Sequence, residues 1–424
     1  MFFIGGSAMQ DVHTCVMGLD VHRDFIVACL AYGELGAKPK TDMRTFSTLA
    51  QEMKKLRGWI EETGCRHIAM ESTGIYWQPV YDLLEYCFDW DISILVVNAR
   101  HIRNVPGRKT DVRDAQWIAS LLRAGLLRGS FIPDRPFRDL RHLTRYRKNI
   151  IRDIGAQKNR IDKYMQSAGF RFSAFLSDIF GVSGRNIIRH LIEYGEIPKE
   201  ALNRCLKSKL RKRADEILVS LNDTLSAHGR SYLGRMFAHL EYIERHLREI
   251  EADIDESVAE HAEALQLLSS IPRVSKISAS AIIAEIGTDM AAFPTSQHIC
   301  SWAGLSPGNN SSAGKNKSTR VNKANPYLKS ILCEVGWATA QLRTCYLSNW
   351  YWKLKQRRGS KRAVIAAARK ILVLAYIILK HKTPYDETYF EAYRQRSKAR
   401  RTKRMVNELR RLGFTVTEPD GGTP

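Results

Sequence analysis

The chain has 424 residues, of which 44% are hydrophobic, and its 66 Lys and Arg outnumber its 44 Asp and Glu, which gives a formal net charge of +22. This length exceeds that of most single domains, so two or three domains with buried cores are expected. The charge predicts a polyanionic partner, with nucleic acid the simplest choice and an anionic membrane the alternative. The eight cysteines form no CxxC pair and no cluster with His at zinc spacing, a pattern that argues against a zinc site and suits a reducing cytoplasm.

No segment is predicted to enter a membrane. The first four residues, Met1 to Ile4, lack the basic and long apolar regions of a signal peptide. The most apolar late segment, Ala363 to Leu379, is interrupted by Arg369 and Lys370 and is too short on either side to span a bilayer. We therefore predict a cytoplasmic protein with no membrane partner.

Residues 14–127 alternate strand and helix patterns. The predicted strands are 16–20, 25–31, a short one near 45–46, 67–71 and 92–97. The predicted helices are 49–62, 76–86 and 111–125. Leading strands followed by alternating helices and strands predict a mixed α/β sheet with a helical layer, which is the order that a ribonuclease-H-like fold requires.

Four acidic residues mark the ends of these elements. Asp20 and Glu71 each end an apolar strand, where a carboxylate without a partner is costly. Asp111 and Asp114 lie near the start of a helix, and their spacing of three places them on one face. Such an all-oxygen set suits a pair of Mg²⁺ ions, which at about 3.5–4 Å apart can clamp the attacking and leaving oxygens of a phosphodiester. Taken singly, each acid could be a solvated surface group, and Asp111 could simply cap the helix.

From Arg138 the pattern becomes helical. Apolar residues stand at heptad positions between Leu140 and Tyr164, and again between Leu233 and Ile254, where the spacing alternates 3 and 4 as in a coiled coil. These two segments could pair with each other as a helical hairpin or form a seam with a second subunit. The stretch 170–230 between them is predicted to be an insert of short helices.

The last third carries two further motifs and a basic tail. Residues 270–286 resemble a degenerate helix-hairpin-helix, whose backbone amides often hold a DNA phosphate, although Arg273 and Ser275 replace the usual hairpin glycines. Residues 301–315 are rich in turn formers and hydroxyls, which predicts a loop. Between Lys353 and Arg411 there are 19 Lys and Arg against 4 Asp and Glu, and the tail after Phe390 is predicted to be disordered unless bound.

Five short motifs occur in one order along the chain. They are Gly18-Leu19-Asp20-Val21-His22, Met70-Glu71-Ser72-Thr73-Gly74, Lys109-Thr110-Asp111-Val112-Arg113-Asp114-Ala115, Ile271-Pro272-Arg273-Val274 and Trp302-Ala303-Gly304-Leu305-Ser306-Pro307. Over residues 12–384 this series resembles the DEDD transposases of the insertion-sequence family one-ten, the bridge-RNA-guided recombinases of bacterial mobile elements.

The resemblance implies a domain order and a set of partners. It implies a RuvC-like catalytic domain at 12–130, a helical coiled-coil region at 138–264 and a mostly helical, serine-bearing transposase domain at 265–384, followed by a basic tail at 385–424. It further implies Mg²⁺ on Asp20, Glu71, Asp111 and Asp114, donor and target DNA, and a structured RNA encoded by the element. The active site would be composite, with parts from different subunits of a tetramer arranged as a dimer of dimers.

The resemblance also implies a nucleophile. Counting ten residues from Ala303, the family's serine falls on Ser312, which would form a phosphoserine link with DNA. Ser311 would take this role if the register of the loop differs, and Ser306 and Ser318 are weaker candidates. Four cations are predicted to contact nucleic acid, namely Lys109, Arg113, Lys315 and Arg320. The insert at 170–230, the tail and the missing hairpin glycines depart from the compact members of the family.

Three other readings of the same residues remain open. A structure-selective endonuclease of the RuvC type would use the same acids and attack with water. Actin-like ATPases and sugar kinases also begin with Gly18-Leu19-Asp20, but they need glycine-rich phosphate loops that the sequence lacks. A non-catalytic nucleic-acid-binding protein would need only the heptads and the basic tail.

Overall fold

The computed structural model describes residues 3–4, 7–8, 11–72, 74–85, 91–98, 114–221, 224–307, 310–312, 315–318, 321, 324–342 and 345–416. It describes the backbone alone at residues 3–4, 7–8, 208, 310–312, 315–318, 389, 392–394 and 396–398. The chain divides into two compact units, residues 1–132 and 133–424.

A five-stranded mixed sheet forms the centre of the first unit. Its strands are β1 (Cys15–Val21), β2 (Phe25–Tyr32), β3 (Lys40–Ser47), β4 (His67–Glu71) and β5 (Ser93–Val97). They lie in the order β3-β2-β1-β4-β5, with β2 antiparallel to both of its neighbours and β4 parallel to both β1 and β5. The mixed sheet was predicted, but β3 is longer than the short strand expected near 45–46 because it pairs along the whole of β2. A separate antiparallel pair, Phe3–Ile4 with Ser7–Ala8, precedes the sheet.

Helices cover both faces of this sheet. Helices α1 (Ala50–Thr63) and α2 (Trp77–Glu85) lie on one face, where Leu56 and Leu84 pack in a single core with Met17 and Met70. Helix α3 (Asp114–Arg123) lies on the other face, over Val16 and Ala69. Because β1 and β4 are buried on both sides, they read as continuous apolar runs rather than as alternating patterns.

The second unit is helical apart from one hairpin in the residues that the structure describes. Its helices are α4 (Arg135–Ser167), α5 (Val182–Tyr194), α6 (Lys199–Cys205), α7 (Ser208–Arg211), α8 (Ala214–Val219), α9 (Ala227–Ser257), α10 (Ala262–Ser269), α11 (Lys276–Ile286), α12 (Ser296–Trp302), α13 (Pro326–Ala340), α14 (Tyr346–Arg358), α15 (Ser360–His381) and α16 (Glu387–Arg411). The hairpin consists of β6 (Asn310–Ser312) and β7 (Lys315–Ser318).

The two long helices with heptad spacing, α4 and α9, pair with each other inside the chain. Arg147 forms an ion pair with Glu251 at 2.6 Å, and the Gln157 side-chain amide donates to the Met236 carbonyl at 2.8 Å. The first contact joins an early residue of α4 to a late residue of α9, and the second joins a later residue of α4 to an early residue of α9, so the pair is antiparallel. Of the two arrangements that the heptads allowed, the structure therefore shows the intramolecular hairpin.

The insert between the long helices folds onto α9. The short helices predicted for 170–230 are present, and they bury Phe170, Phe172 and Leu191. Arg185 of α5 binds Glu244 of α9 with a shortest separation of 2.7 Å. The insert is therefore a packed part of the second unit rather than a loose loop.

Helix α15 occupies the middle of the C-terminal helices. Its residues Ala368, Ile371 and Leu372 are fully buried, which explains why this stretch is the most apolar late segment of the sequence. Among the described helices, none combines the length and apolar character needed to cross a membrane.

The basic tail differs from its prediction. Residues 387–411 form α16, so the expectation of disorder was wrong for this stretch. Its Arg, Lys, Glu, Gln and Ala are good helix formers, and the Asp386 side chain caps its N-terminus by accepting from the Thr388 amide. Phe390 also stacks on Tyr346 with ring centres 4.4 Å apart, which attaches the first turns to α14.

Candidate active site

Two of the predicted acids lie side by side at one edge of the sheet. In the parallel pair β1–β4, Leu19 is opposite Met70, so Asp20 and Glu71 follow at the same level on neighbouring strands. Leu19 and Met70 both belong to the core under α1 and α2. Because side chains alternate along a strand, Asp20 and Glu71 are directed to the opposite face, which is the face that α3 covers.

A glycine allows α3 to approach this face closely. A Cβ atom placed on Gly18 would lie 2.2 Å from the Ala115 carbonyl oxygen and 2.5 Å from the Ala119 amide nitrogen. The backbone of α3 therefore rests directly on β1, two residues before Asp20. Asp114 is the first residue of α3, next to the contact at Ala115, so the third predicted acid stands at the same edge. A negative residue in the first turn also suits the helix dipole.

His22 is a site residue for which the sequence suggested no role. Its Nε2 lies 3.1 Å from Asp20 Oδ2, and its ring contacts that of Phe25 with centroids 4.5 Å apart. The side chain of Asp20 is about one-fifth exposed and that of His22 about half exposed. The signal available in the sequence was the Asp-x-His spacing, since residues two apart near a strand end share a face. His22 can therefore orient the Asp20 carboxylate.

The remaining members of the predicted acidic and basic set are described only in part. Asp111, Lys109, Arg113 and Arg320 lie outside the described residues. Within the described part of the chain, no three His, Cys, Asp or Glu side chains come close enough together to hold a metal ion. Asp20 and Glu71 nevertheless offer the carboxylate oxygens that Mg²⁺ prefers, so the donor chemistry of this edge fits such an ion.

The predicted nucleophile lies in the short hairpin of the second unit. Ser312 ends β6 and pairs with Lys315 of β7 across the turn, while Ser311 pairs with Asn316. An isolated bridge between Pro307 and Val321 closes the base of the hairpin. The prediction of a loop at 301–315 was therefore wrong for 301–302, which end α12, and for 310–312 and 315, where backbone pairing between two short strands gives the polar segment a regular form.

Helices lie on both sides of the turn in the segment that resembles a helix-hairpin-helix, and the one after the turn was predicted at 279–286. Helices α10 and α11 flank the turn, and Arg273 adopts the left-handed conformation at φ 65° that a glycine would ordinarily supply. The Ser275 side chain caps α11 by accepting from the Ser278 amide at 3.2 Å. Arg273 thus takes the backbone geometry of the missing glycine, at the cost of strain for a residue with a side chain.

Two family models match separate parts of the chain. One, described as a transposase model of the DEDD type of IS110, matches residues 17–169, and the other, described as "Transposase IS116/IS110/IS902 family", matches residues 265–351. The first stretch includes all four predicted acids. The second includes the hairpin with Ser312 and the whole of the segment that resembles a helix-hairpin-helix.

Two of the curated relatives that the chain matches illustrate the similarity, and both are bacterial proteins. A Pseudomonas aeruginosa protein named "Probable family 20 transposase" is 29% identical over 152 residues, which is 34% of this chain and 44% of the relative, so the match spans less than half of that protein. The Coxiella burnetii "Transposase for insertion sequence element IS1111A" is 23% identical over 389 residues, which is 89% of this chain and 92% of the relative. With both family models and a nearly full-length relative in agreement, the chain belongs to the IS110 family of transposases.

Proposed function

We propose that this transposase cuts and rejoins DNA at the ends of an insertion sequence, with Asp20, Glu71, Asp111 and Asp114 as Mg²⁺ ligands and Ser312 as nucleophile. The observation that carries the proposal is the matched register of Asp20 and Glu71 on adjacent parallel strands, facing the helix that Asp114 begins. Three separate elements thus bring acids to one edge of the sheet.

The acids would supply an all-oxygen site for Mg²⁺. Bound there, Mg²⁺ would withdraw negative charge from the phosphate under attack. The part played by the chain itself is to hold the carboxylates in place. His22 orients Asp20 through the 3.1 Å contact, and the sheet register fixes the spacing of Asp20 and Glu71.

The serine would make the reaction a transfer rather than a hydrolysis. The Ser312 oxygen would form a bond to phosphorus while the bond to the leaving sugar oxygen breaks, and the hydroxyl proton would pass through solvent to that oxygen. The resulting phosphoserine keeps the energy of the phosphodiester. Attack by the sugar hydroxyl of a second strand would then restore Ser312 and join the two DNA segments. This conservation of bond energy is what recombination needs and hydrolysis lacks.

We extend the proposal to an assembly and a guide on the basis of the family resemblance. Ser312 and the acids would come from different subunits of a tetramer, and a structured RNA of the element would pair with donor and target DNA. A mixing experiment tests the composite site, because Ser312→Ala protein and Asp20→Asn protein should regain strand exchange only together. Lack of activity in the mixture, with each variant folded and able to bind DNA, would contradict a site shared between subunits.

The covalent step is tested on a denaturing gel. Labelled element-junction DNA is incubated with Mg²⁺, RNA transcribed from the end of the element, and wild-type, Ser312→Ala or Asp20→Asn protein. A protein-linked DNA band with wild type alone would support the mechanism. Ser311→Ala and Ser318→Ala test the other candidate serines of the hairpin, and both variants should keep the protein-linked band if Ser312 is the nucleophile. If DNA is cleaved without a protein-linked band, and the cleavage persists in Ser312→Ala protein, the enzyme would be a RuvC-type nuclease that uses water.

A further inference from the structure

A groove of about 800 Å³ lies at the base of the hairpin that carries Ser312. Pro307 and Val321, which form the bridge closing the hairpin, line one side of it. Residues of α15 and the end of α14 line the other side. Any ligand in this groove, which we call the α15 groove, would therefore lie beside the segment that presents the proposed nucleophile.

Four cations surround the α15 groove, and no acid lines it. They are Arg358, Lys361, Arg362 and Arg369. In the part of the chain that the structure describes, none of the four forms an ion pair with a carboxylate, whereas Arg147 and Arg185 of the same unit each bind a Glu at 2.6–2.7 Å. The groove thus presents positive charge that the described residues leave without a counter-ion.

The local backbone explains why these cations converge. Lys361, Ile365 and Arg369 are spaced by four residues and so share one face of α15. Gly359, at φ 80°, turns the chain sharply between α14 and α15. Because of this turn, Arg358, which is the last residue of α14, lines the same groove as Lys361 and Arg362 in the first turn of α15.

The floor of the groove is apolar. Leu305 is 1% exposed, and Ile365 and Ala366 are half-buried between the cations. An apolar floor with a cationic rim suits a nucleotide, whose sugar and base are largely apolar on their faces and whose phosphates are anionic. The volume is that of a pocket for a small organic ligand, which admits one or two nucleotides of a single strand but not a duplex.

We propose that the α15 groove binds the DNA strand next to the scissile phosphate and seats an unpaired nucleotide on the floor formed by Leu305, Ile365 and Ala366. Arg362 and Arg369 contact the phosphates of this strand. The inference rests on the proposed function in one respect, since it takes the strand that Ser312 attacks as the occupant. The strand must pass the hairpin to reach Ser312, which favours DNA over the RNA of the complex.

The first arm of the test measures binding, which does not require the serine. Full-length Ser312→Ala protein is titrated with a duplex that carries a short single-stranded overhang, with the same duplex without the overhang, and with a single-stranded RNA. For overhang DNA, log K decreases as log salt increases, and this negative slope should become shallower by about 1.4 in the double variant Arg362→Gln, Arg369→Gln. The expected change follows because each phosphate contact to a single strand contributes about 0.7 to the steepness of the slope. Arg357→Gln, exposed on α14 but outside the groove, is the matched control and should keep the wild-type slope.

The second arm fills the floor without changing the charge. Ala366→Trp should abolish photo-crosslinking between iodouracil in the overhang and peptides of α15 while duplex binding is retained. Unchanged salt slope and unchanged crosslinking in both variants would overturn the proposal. So would a loss confined to RNA, which would make RNA the occupant.

The outcomes also separate the groove from the chemistry. If Ser312→Ala in the gel assay leaves cleavage intact but the groove variants lose overhang binding, the serine mechanism fails and the groove stands. If the linked band depends on Ser312 but the groove variants bind and crosslink as wild type does, the mechanism stands and the groove assignment fails.

Discussion

Removal of the carboxylate of Glu285 should destabilise the second unit more than removal of any surface acid. The side chain of Glu285 is 1% exposed and lies between two arginines of α4. Its oxygens accept from Arg145 at 2.8 and 2.9 Å and from the Asn325 amide at 2.6 Å, and Arg141 Nε lies 3.1 Å away. Burial lowers the pKa of Arg141 to about 10 even though Glu285 acts to raise it, so this guanidinium is strongly desolvated.

The expected loss in the free energy of unfolding comes from the two arginines that Glu285→Gln leaves without a carboxylate partner. Removing one partner of a buried ion pair commonly costs about 3–5 kcal/mol, because the other charge stays buried without compensation. The side chain of Arg141 is 16% exposed and that of Arg145 is 33% exposed, so water can screen Arg145 in part. We therefore expect a loss near the lower end, about 3 kcal/mol in the free energy of unfolding.

The control is an acid of α13 that contacts the same long helix, α4. Lys148 of α4 contacts Glu334 at 3.4 Å, but the side chain of Glu334 is 69% exposed, so Glu334→Gln should change the free energy of unfolding by less than about 1 kcal/mol. Urea titrations of both variants, followed by circular dichroism, compare the two losses directly. A Glu285→Gln protein that unfolds at the same urea concentration as Glu334→Gln would refute the reasoning, because it would mean that the buried arginines need no carboxylate.

Three further predictions concern the sheet, the long helices and a thiol. Gly18→Ala should lower the free energy of unfolding by about 3 kcal/mol, since its Cβ would meet the backbone of α3, whereas Gly58→Ala, with open space around it, should be neutral or stabilising in the same thermal melts. Leu240→Ala, fully buried in the second unit, should cost about 2–5 kcal/mol in a urea titration without changing the mass measured by light scattering, because α4 and α9 pair within one chain. A hydrogen bond from Cys65 and the charge of Arg123 outweigh burial and lower the pKa of the Cys15 thiol to about 7. Alkylation of Cys15 by iodoacetamide, measured by mass spectrometry, should therefore become faster as the pH rises through about 7, because the thiolate is the reactive form. An alkylation rate that does not change with pH in this range would contradict the prediction.

The acidic edge could be predicted because its signals are local. An apolar run that ends in a carboxylate marks both a buried strand and the exposed end of that strand, as at Asp20 and Glu71. Their placement side by side comes from the parallel register of β1 and β4, in which Leu19 lies opposite Met70. Gly18 stands in the same motif, but the sequence did not show why a glycine is needed there. The need comes from the close approach of Ala115, which is almost a hundred positions away in the sequence.

Other features depend on contacts that no local pattern records. The heptad spacing indicates that α4 and α9 each have an apolar face, but it does not indicate which partner covers that face. The cluster of Arg141, Arg145 and Glu285 joins residues about 140 positions apart, and each looks like an ordinary surface charge in the sequence. The tail was predicted from its composition to be disordered, yet a capping Asp386 and the stacking of Phe390 were enough to favour a helix.

The same cluster bears on how the chain could hold a nucleophile in a polar hairpin. A segment of Asn, Ser and Lys has little apolar surface with which to fix itself, so its position must be set at its ends. The bridge between Pro307 and Val321 joins the two ends of the hairpin to each other. Four residues after Val321, Asn325 caps α13 by accepting from the Tyr327 and Leu328 amides at 3.1 Å while donating to the buried Glu285. Because Glu285 is itself held by α4, the hairpin is anchored to the longest helix of the unit. A short hairpin with two fixed ends can present a serine reproducibly without a hydrophobic core of its own, which is the requirement that in-line attack on a phosphate places on its nucleophile.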